Sequence, residues 1–402
     1  MQVTKKRVVL FGAGASNLIA AYFLADYFNI IIFEKEKSIG RKFLIAGKGG
    51  LNLTNNLPIN KFLKNYTPKY FLDDAVKSFN ANALRQWLLN LNIPTFIGSS
   101  GKIFPKKEIN PALVLNTIKK NLLKMNVKII TKCEFLKFTD NHKPIINCKG
   151  KKIISEADYF IFGLGGASWP QTGSNGAWKV AFEKIGIKTA NFQASNCGIN
   201  INWSSHIKKY HVGKPLKNIK ISFGRKNFLG EAVITNYGLE GGLIYKLIPY
   251  IRKSFDKNKK TVIKLDFKPY NEKFQLIKKI SPLKYTSKDY MKILNINKLH
   301  LSLIKEYSTK EEYLDKKTFI EKLKGLLLKV ESLRPLEEAI STIGGIETTE
   351  LNPDFSLKKN PAIFTIGEMV NWDAPTGGFL LQACFSMGFY AAQSIIKQNI
   401  IR

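Results

Sequence analysis

Gly12, Gly14 and Glu34 are the residues whose types and spacing carry the clearest chemistry in this 402-residue chain. The glycines stand in Gly12-Ala13-Gly14-Ala15-Ser16-Asn17, and the acid follows twenty residues after Gly14. Glycines at this spacing let the backbone turn tightly and approach a pyrophosphate. A carboxylate about 20 residues further on accepts hydrogen bonds from ribose hydroxyls. Ala15 and Ser16 open the segment after the turn, where the unpaired N–H groups of a helix start attract an anion. An acid at Glu34 favours an adenosine ribose without a 2′-phosphate, and Lys35 beside it adds a cation. Asn17 replaces the third glycine of the motif, the position that packs the helix against the strand.

Three further clusters suit a negatively charged ligand. Residues 40–55 combine Gly47, Gly49 and Gly50 with Arg41, Lys42 and Lys48 and with the small polar side chains of Asn52 and Thr54. Backbone N–H groups exposed in such a loop form an anion nest. Gly165 and Gly166 follow an apolar run at 158–162, and Gly367-Glu368, Asp373 and Gly377-Gly378 precede an apolar stretch that starts at Phe379. Cys384, Cys197 and Asp373 are the candidate proton donors, each beside a structural reading: a core thiol for the cysteines, a hydrogen bond to a ligand for the aspartate. The four histidines are scattered without metal spacing, so neither catalysis nor a metal is assigned to them.

These residues need a frame. The run at 8–11 predicts a buried strand, and Leu18, Ile19, Ala21, Tyr22, Leu24 and Ala25 recur with helical spacing after the turn. The β-branched run at 30–33 predicts a second strand ending at Glu34, so strand, turn, helix, strand and acid follow without a gap. Helices are predicted over 70–95 and 111–125, and strands over 127–130, 158–162 and 362–366, with an apolar helix from Phe379 to about Ile396. Between them the texture changes: strand-like runs at 219–223, 232–235 and 262–265 give way to Lys-rich helical patterns. The expected fold is therefore α/β. A Rossmann-like nucleotide-binding domain is assembled from residues 1–190 and 341–402. An inserted basic α+β substrate domain spans 191–340, β-rich over about 191–270 and helical over about 271–331.

Composition excludes wholesale disorder, since 45% of the residues are hydrophobic. Lys+Arg outnumber Asp+Glu by 63 to 30, a net charge of +33, and the charge is uneven: +18 in residues 1–199, +18 in the shorter 200–330, and −3 in 331–402. A field of this size attracts polyanions. Lys208-Lys209, Lys259-Lys260, Lys278-Lys279 and Lys316-Lys317, interleaved with Tyr and Phe, point to RNA or another polyanion as partner of residues 200–330. The other account is a compositional bias toward lysine, which supplies 56 of the 63 basic residues. No run approaches the roughly 18 uninterrupted apolar residues of a membrane span. The start, Met1 to Arg7, leads into only four apolar residues, too few for a secretory signal. The expectation is a cytoplasmic protein with no membrane partner. Cys133, Cys148, Cys197 and Cys384 show no CxxC pair, which predicts free thiols.

Three long segments, GRKFLIAGKGGLNLTN (40–55), FGLGGASWPQTGSNGAW (162–178) and FTIGEMVNWDAPTGGFLLQACFSMGFYAA (364–392), resemble the BaiN/RdsA (YhiN-like) family of FAD-dependent flavoproteins, and the resemblance runs nearly end to end. It implies bound FAD, with adenosine and diphosphate on Gly12, Gly14 and Glu34. Arg41, Lys42, the 46–55 loop, Gly165, Gly166, Gly367, Glu368 and Gly377-Gly378 would surround the cofactor, and the flavin O2 would face the helix that Phe379 begins. It implies NADH or NADPH as electron donor and, in one branch, reduction of a uridine of ribosomal RNA to dihydrouridine. The alternative is a small-molecule enone reductase or amine oxidase. The chain departs from the family's GGGRCNxTN in this loop, which reads GKGGLNLTN here, with Gly50 at the arginine and Leu51 at the cysteine, and this excludes any mechanism through that thiol.

Overall fold

The computed structural model describes residues 5–47, 49–257, 261–280 and 287–401. Lys48, the Lys259-Lys260 pair, the N-terminal start and residues 281–286 of the predicted helical region lie outside the described residues. The chain forms two compact units, one of Met1–Ala194 with Leu336–Arg402 and one of Ser195–Pro335.

In the first unit, β1 (Arg7–Phe11), α1 (Ala15–Leu24) and β2 (Asn29–Glu34) form the opening βαβ. Val8 to Phe11 are buried, as a strand covered on both faces requires. β1 pairs in parallel with β2 on one side and with Tyr159–Phe162 on the other. Lys128–Thr131 and Asn360–Thr365 extend the parallel array outward, and Ser356–Leu357 closes one edge antiparallel. The chain leaves β1 toward opposite sides, so the crevice beyond its carboxyl end is a topological switch point, where open α/β sheets bind ligands. The helix Phe379–Ile401 packs on α1. Its segment Phe379–Ile400 has the length and apolarity to cross a bilayer, but 61% of its most apolar stretch is buried, the character of a core helix.

Three expectations are corrected here, and one unassigned stretch gains a structure. The helix predicted over 70–95 is two helices, Asp73–Ser78 and Ala81–Asn90. Asn80 caps the second, its Oδ1 accepting from the N–H groups of Asn82 and Ala83. Residues 40–55 are not one loop: Gly40, at φ +62°, opens the helix Arg41–Ala46, and Thr54–Asn55 pairs with Lys102–Pro105. Residues 133–154, unassigned above, form a three-stranded antiparallel sheet of Cys133–Phe138, Pro144–Cys148 and Lys151–Ile154. Its register sets Cys133 opposite Cys148, and the two form a disulfide, so only Cys197 and Cys384 are free thiols. Strand register, not sequence spacing, brings that pair together.

The second unit is built on a seven-stranded sheet in the order Leu326–Val330, Thr261–Asp266, Pro215–Phe223, Lys226–Ile234, Gly238–Glu240, Ile199–Asn200 and Ser332–Leu333, with antiparallel pairing throughout. Its helices include Lys273–Ile280, Ser287–Ile293, Lys298–Glu306 and Lys316–Gly325. The helical reading to 331 overran. Leu326–Val330 alternates buried and exposed residues and pairs with Thr261–Asp266, so its leucines serve a strand period.

Candidate functional site

A cavity of about 600 Å³ opens in the first unit at the carboxyl ends of β1, β2 and Tyr159–Phe162. Gly12, Gly14, Ala15 and Ser16 line one side of it. Gly12 stands at φ +88°, and a Cβ there would sit 2.6 Å from the Gly163 carbonyl, so only glycine lets the two strand ends approach. Gly14 caps α1 with no side-chain acceptor, which leaves the first helical N–H groups to a ligand.

Asn17 lies beneath this turn, fully buried, and its Nδ2 donates to the carbonyls of Phe11 and Gly12, each at 2.7 Å. The residue that broke the glycine pattern thus ties helix to strand with hydrogen bonds where a glycine would do so by close contact.

Glu34 faces the cavity from the end of β2. Its Oε2 accepts from Ala13 N–H at 2.7 Å and its Oε1 from Glu36 N–H at 2.9 Å. Each carboxylate oxygen retains a second lone pair, enough for two ribose hydroxyls. Burial raises the Glu34 pKa, with the two backbone donors opposing it.

The cations are partly engaged. Lys42 Nζ contacts Ser168 Oγ and Glu368 Oε2, both at 2.7 Å, while Glu368 Oε1 accepts from Thr342 N–H at 3.0 Å. Arg41 donates to the Gln171 carbonyl at 2.7 Å and lies 3.4 Å from Glu36, and Lys35 reaches Asn175 at 3.3 Å. All three cations line the cavity, as do Glu368 and Gly165.

Asn52, Gly377, Gly378 and Cys384 also line the wall. Gly378 stands at φ +93°, and its Cβ would lie 2.5 Å from the Thr54 backbone. The Asn52 amide bridges the same contact, accepting from Gly378 N–H and donating to the Thr54 carbonyl, each at 2.9 Å. The 52–55 segment therefore clasps the turn that starts the long helix. Burial, reinforced by the Glu368 charge, pushes the Cys384 thiol up to about 12, so it stays protonated.

Several predicted residues stand elsewhere. Gly47, Gly49, Gly50, Thr54, Gly166, Gly367, Asp373 and Phe379 are not in the cavity wall. Thr54 and Phe379 are buried behind it, Phe379 packing on the Phe62 ring at 4.8 Å, and the Gly166 backbone lies against Thr342. Asp373 exchanges backbone hydrogen bonds with Thr67, at 2.7 and 3.0 Å, and is buried there. Cys197 belongs to the second unit, where burial pushes its thiol up to about 11.

The sequence reading missed the strand Cys133–Phe138, whose Glu134, Phe135 and Leu136 line the cavity, and missed Trp178, whose indole donates to the Gly165 carbonyl at 2.9 Å. The alternating pattern of 133–138 was the available signal. The wall thus brings together a carboxylate, glycine turns, cations and a second helix start, a set of groups that suits an anionic dinucleotide.

The HI0933-like protein Rossmann domain family matches residues 6–394. The chain is 24% identical to a 3-dehydro-bile acid Δ(4,6)-reductase of Clostridium scindens, across 98% of this chain and 99% of that protein. It is 20% identical to a ribosomal RNA dihydrouridine synthase of Haemophilus influenzae, across 97% and 98%. Its fold is similar to that of a 3-ketosteroid-Δ4-(5α)-dehydrogenase from Rhodococcus jostii RHA1, with a TM-score of 0.51 at 13% identity over 98% and 97% of the two chains.

Proposed function

We propose that this chain, which belongs to the HI0933-like Rossmann domain family, is a reductase that uses FAD and NADH or NADPH to saturate a carbon–carbon double bond conjugated to a carbonyl, and that its acceptor is a uracil of ribosomal RNA. The coarse part, an FAD-dependent oxidoreductase, follows from the family. FAD, when bound, relays two electrons from a nicotinamide to the acceptor. Glu34 would hold the adenosine ribose. The N–H groups after Gly14, with Arg41 and Lys35, would hold the diphosphate. The Lys42–Glu368–Ser168 network supplies a fixed polar wall, and the start of the long helix at Phe379 offers partial positive charge to an anionic ring.

The observation that carries the RNA acceptor is the charge of the second unit: 30 basic against 12 acidic residues over Ser195–Pro335. One relative is a dihydrouridine synthase, an activity that adds hydrogen across a ring double bond. The same reading places the protein in the cytoplasm, with ribosomal RNA. A second reading, a small-molecule enone reductase with no RNA partner, is favoured by the higher identity to the bile-acid reductase.

The test is nucleoside mass spectrometry of ribosomal RNA from a strain lacking this chain. A lost dihydrouridine, restored by the wild-type chain, supports the RNA reading. An unchanged dihydrouridine content, together with NAD(P)H consumption driven by a free enone, replaces it with the second reading.

A further inference from the structure

We propose that Tyr270 and Phe274, with Lys278 and Lys279, form a stacking platform for unpaired nucleotides of the RNA substrate. The inference rests on the RNA reading above and adds where on the second unit the bases are held.

The local sequence explains the exposure of both rings. The strand Thr261–Asp266 ends at a buried aspartate that takes Lys324 at 2.8 Å and Lys220 at 3.3 Å. The chain then turns, with Asn271 N–H donating to the Lys268 carbonyl at 3.1 Å, and enters the helix Lys273–Ile280. That helix is anchored by Leu276 and Ile280, which are buried, and by an ion pair from Lys273 to Glu321 at 2.5 Å. Phe274 and Lys278, four residues apart, share the opposite face. Tyr270 is 76% exposed and Phe274 67%. Neither ring meets another aromatic ring, and neither Lys278 nor Lys279 pairs with an acid, among the described residues. The third exposed aromatic of this unit among the described residues, Tyr210, differs: Lys209 lies 5.2 Å over its ring and the His206 ring is 4.9 Å away.

Two open rings beside unpaired lysines are the combination that binds single-stranded nucleic acid. Every base has a π-face to stack, and lysines follow the backbone phosphates. The requirement also arises from the reaction, because a base cannot be reduced while stacked in a helix, so the nucleotides around it must be splayed and given new partners. An anionic membrane is the weaker fit. An interfacial helix needs a continuous exposed apolar face, whereas here the apolar face is buried and Glu272 and Lys273 separate the rings.

The experiment measures binding of the full-length, FAD-loaded protein to a fluorescent uridine-rich single strand of about 12 nucleotides as salt is raised. The variants are Y270A/F274A, Y270W/F274W and K278Q/K279Q. Loss of stacking weakens binding about fivefold per ring, so about 25-fold for both, without change in salt slope. The tryptophan variant restores it. K278Q/K279Q lowers the log–log salt slope by about 1.4, the value for two phosphates on a single strand. Flavin absorbance and the thermal unfolding midpoint stay at wild-type levels in all three, which shows that each folds. If the wild type binds the strand and the alanine variant binds equally well, the platform is refuted and the RNA reading survives. If the wild type shows no salt-dependent RNA binding, both fall. If the alanine variant keeps RNA but loses binding to vesicles with anionic lipid, or changes oligomeric state, the patch serves a membrane or a protein and the inference is overturned.

Discussion

Asn17 is the residue at which sequence pattern and structure give different predictions for one substitution. Asn17→Gly restores the third glycine of the motif, and by pattern alone it should be neutral or stabilising. In the structure it removes both Nδ2 hydrogen bonds. The Phe11 carbonyl keeps Gly163 N–H at 3.0 Å, so that loss costs about 0.5–1.5 kcal/mol. The Gly12 carbonyl loses its side-chain donor inside the turn, a cost of about 1–3 kcal/mol. Asn17 Oδ1 has no partner among the described residues, and deleting it returns about 1 kcal/mol. A glycine inside α1 adds a further helix-propensity cost of about 0.3 kcal/mol relative to asparagine. The net destabilisation is roughly 1–4 kcal/mol, most of it at the turn that would receive the diphosphate. Asn17→Ala should cost about 1 kcal/mol less, and Asn17→Asp more than either, since it turns a donor to two carbonyls into an acceptor. Thermal unfolding followed by flavin release reads this, with a midpoint fall of roughly 2–12 °C expected for a unit of this size. An Asn17→Gly protein that melts at or above the wild-type temperature with full flavin content would refute the argument.

Other outcomes follow from the same geometry. Gly378→Ala places a Cβ against the Thr54 backbone at a left-handed φ, so purified protein should carry little flavin by absorbance while a control at Gly150, where nothing lies within 4 Å of an added Cβ, keeps it. His300 Nδ1 accepts from Asn297 N–H and burial holds its pKa down to about 4. A folded pKa below the unfolded value means the unfolded chain binds the proton first, so stability falls as pH drops from about 6.5 to 4, by roughly 3 kcal/mol in full. Denaturant titrations at several pH values should show His300→Gln flattening that slope. Thiol titration of unreduced, denatured protein should count two thiols per chain, from Cys197 and Cys384, and four after reduction. Breaking the bond by Cys148→Ser should cost about 3 kcal/mol for a loop of this length, 15 residues.

Local patterns made the opening βαβ legible because each of its parts answers to a local rule: a buried strand, a turn only glycine can take, a helical apolar period, and an acid one strand away. The same holds for the α/β class and for the family, whose model matches residues 6–394. Legibility failed where a local signal had two meanings. Leu326–Val330 reads as a helix by composition and becomes a strand because Thr261–Asp266 offers a ladder. Residues 70–95 carry an apolar period on both sides of a break that Asn80 decides.

What the sequence determined by itself is the cofactor frame and the excess of positive charge, since glycine at a forced φ and a carboxylate at a strand end depend on neighbours within a few dozen residues. Only the tertiary structure decided which residues face the cavity. Asp373 and Thr54 have the chemistry yet lie behind the wall, while Glu134 and Phe135 reach it from a strand with no motif. It also decided that Cys133 meets Cys148 and that Asn17 holds two carbonyls. These contacts join segments through sheet register and helix crossing, which no spacing along the chain encodes.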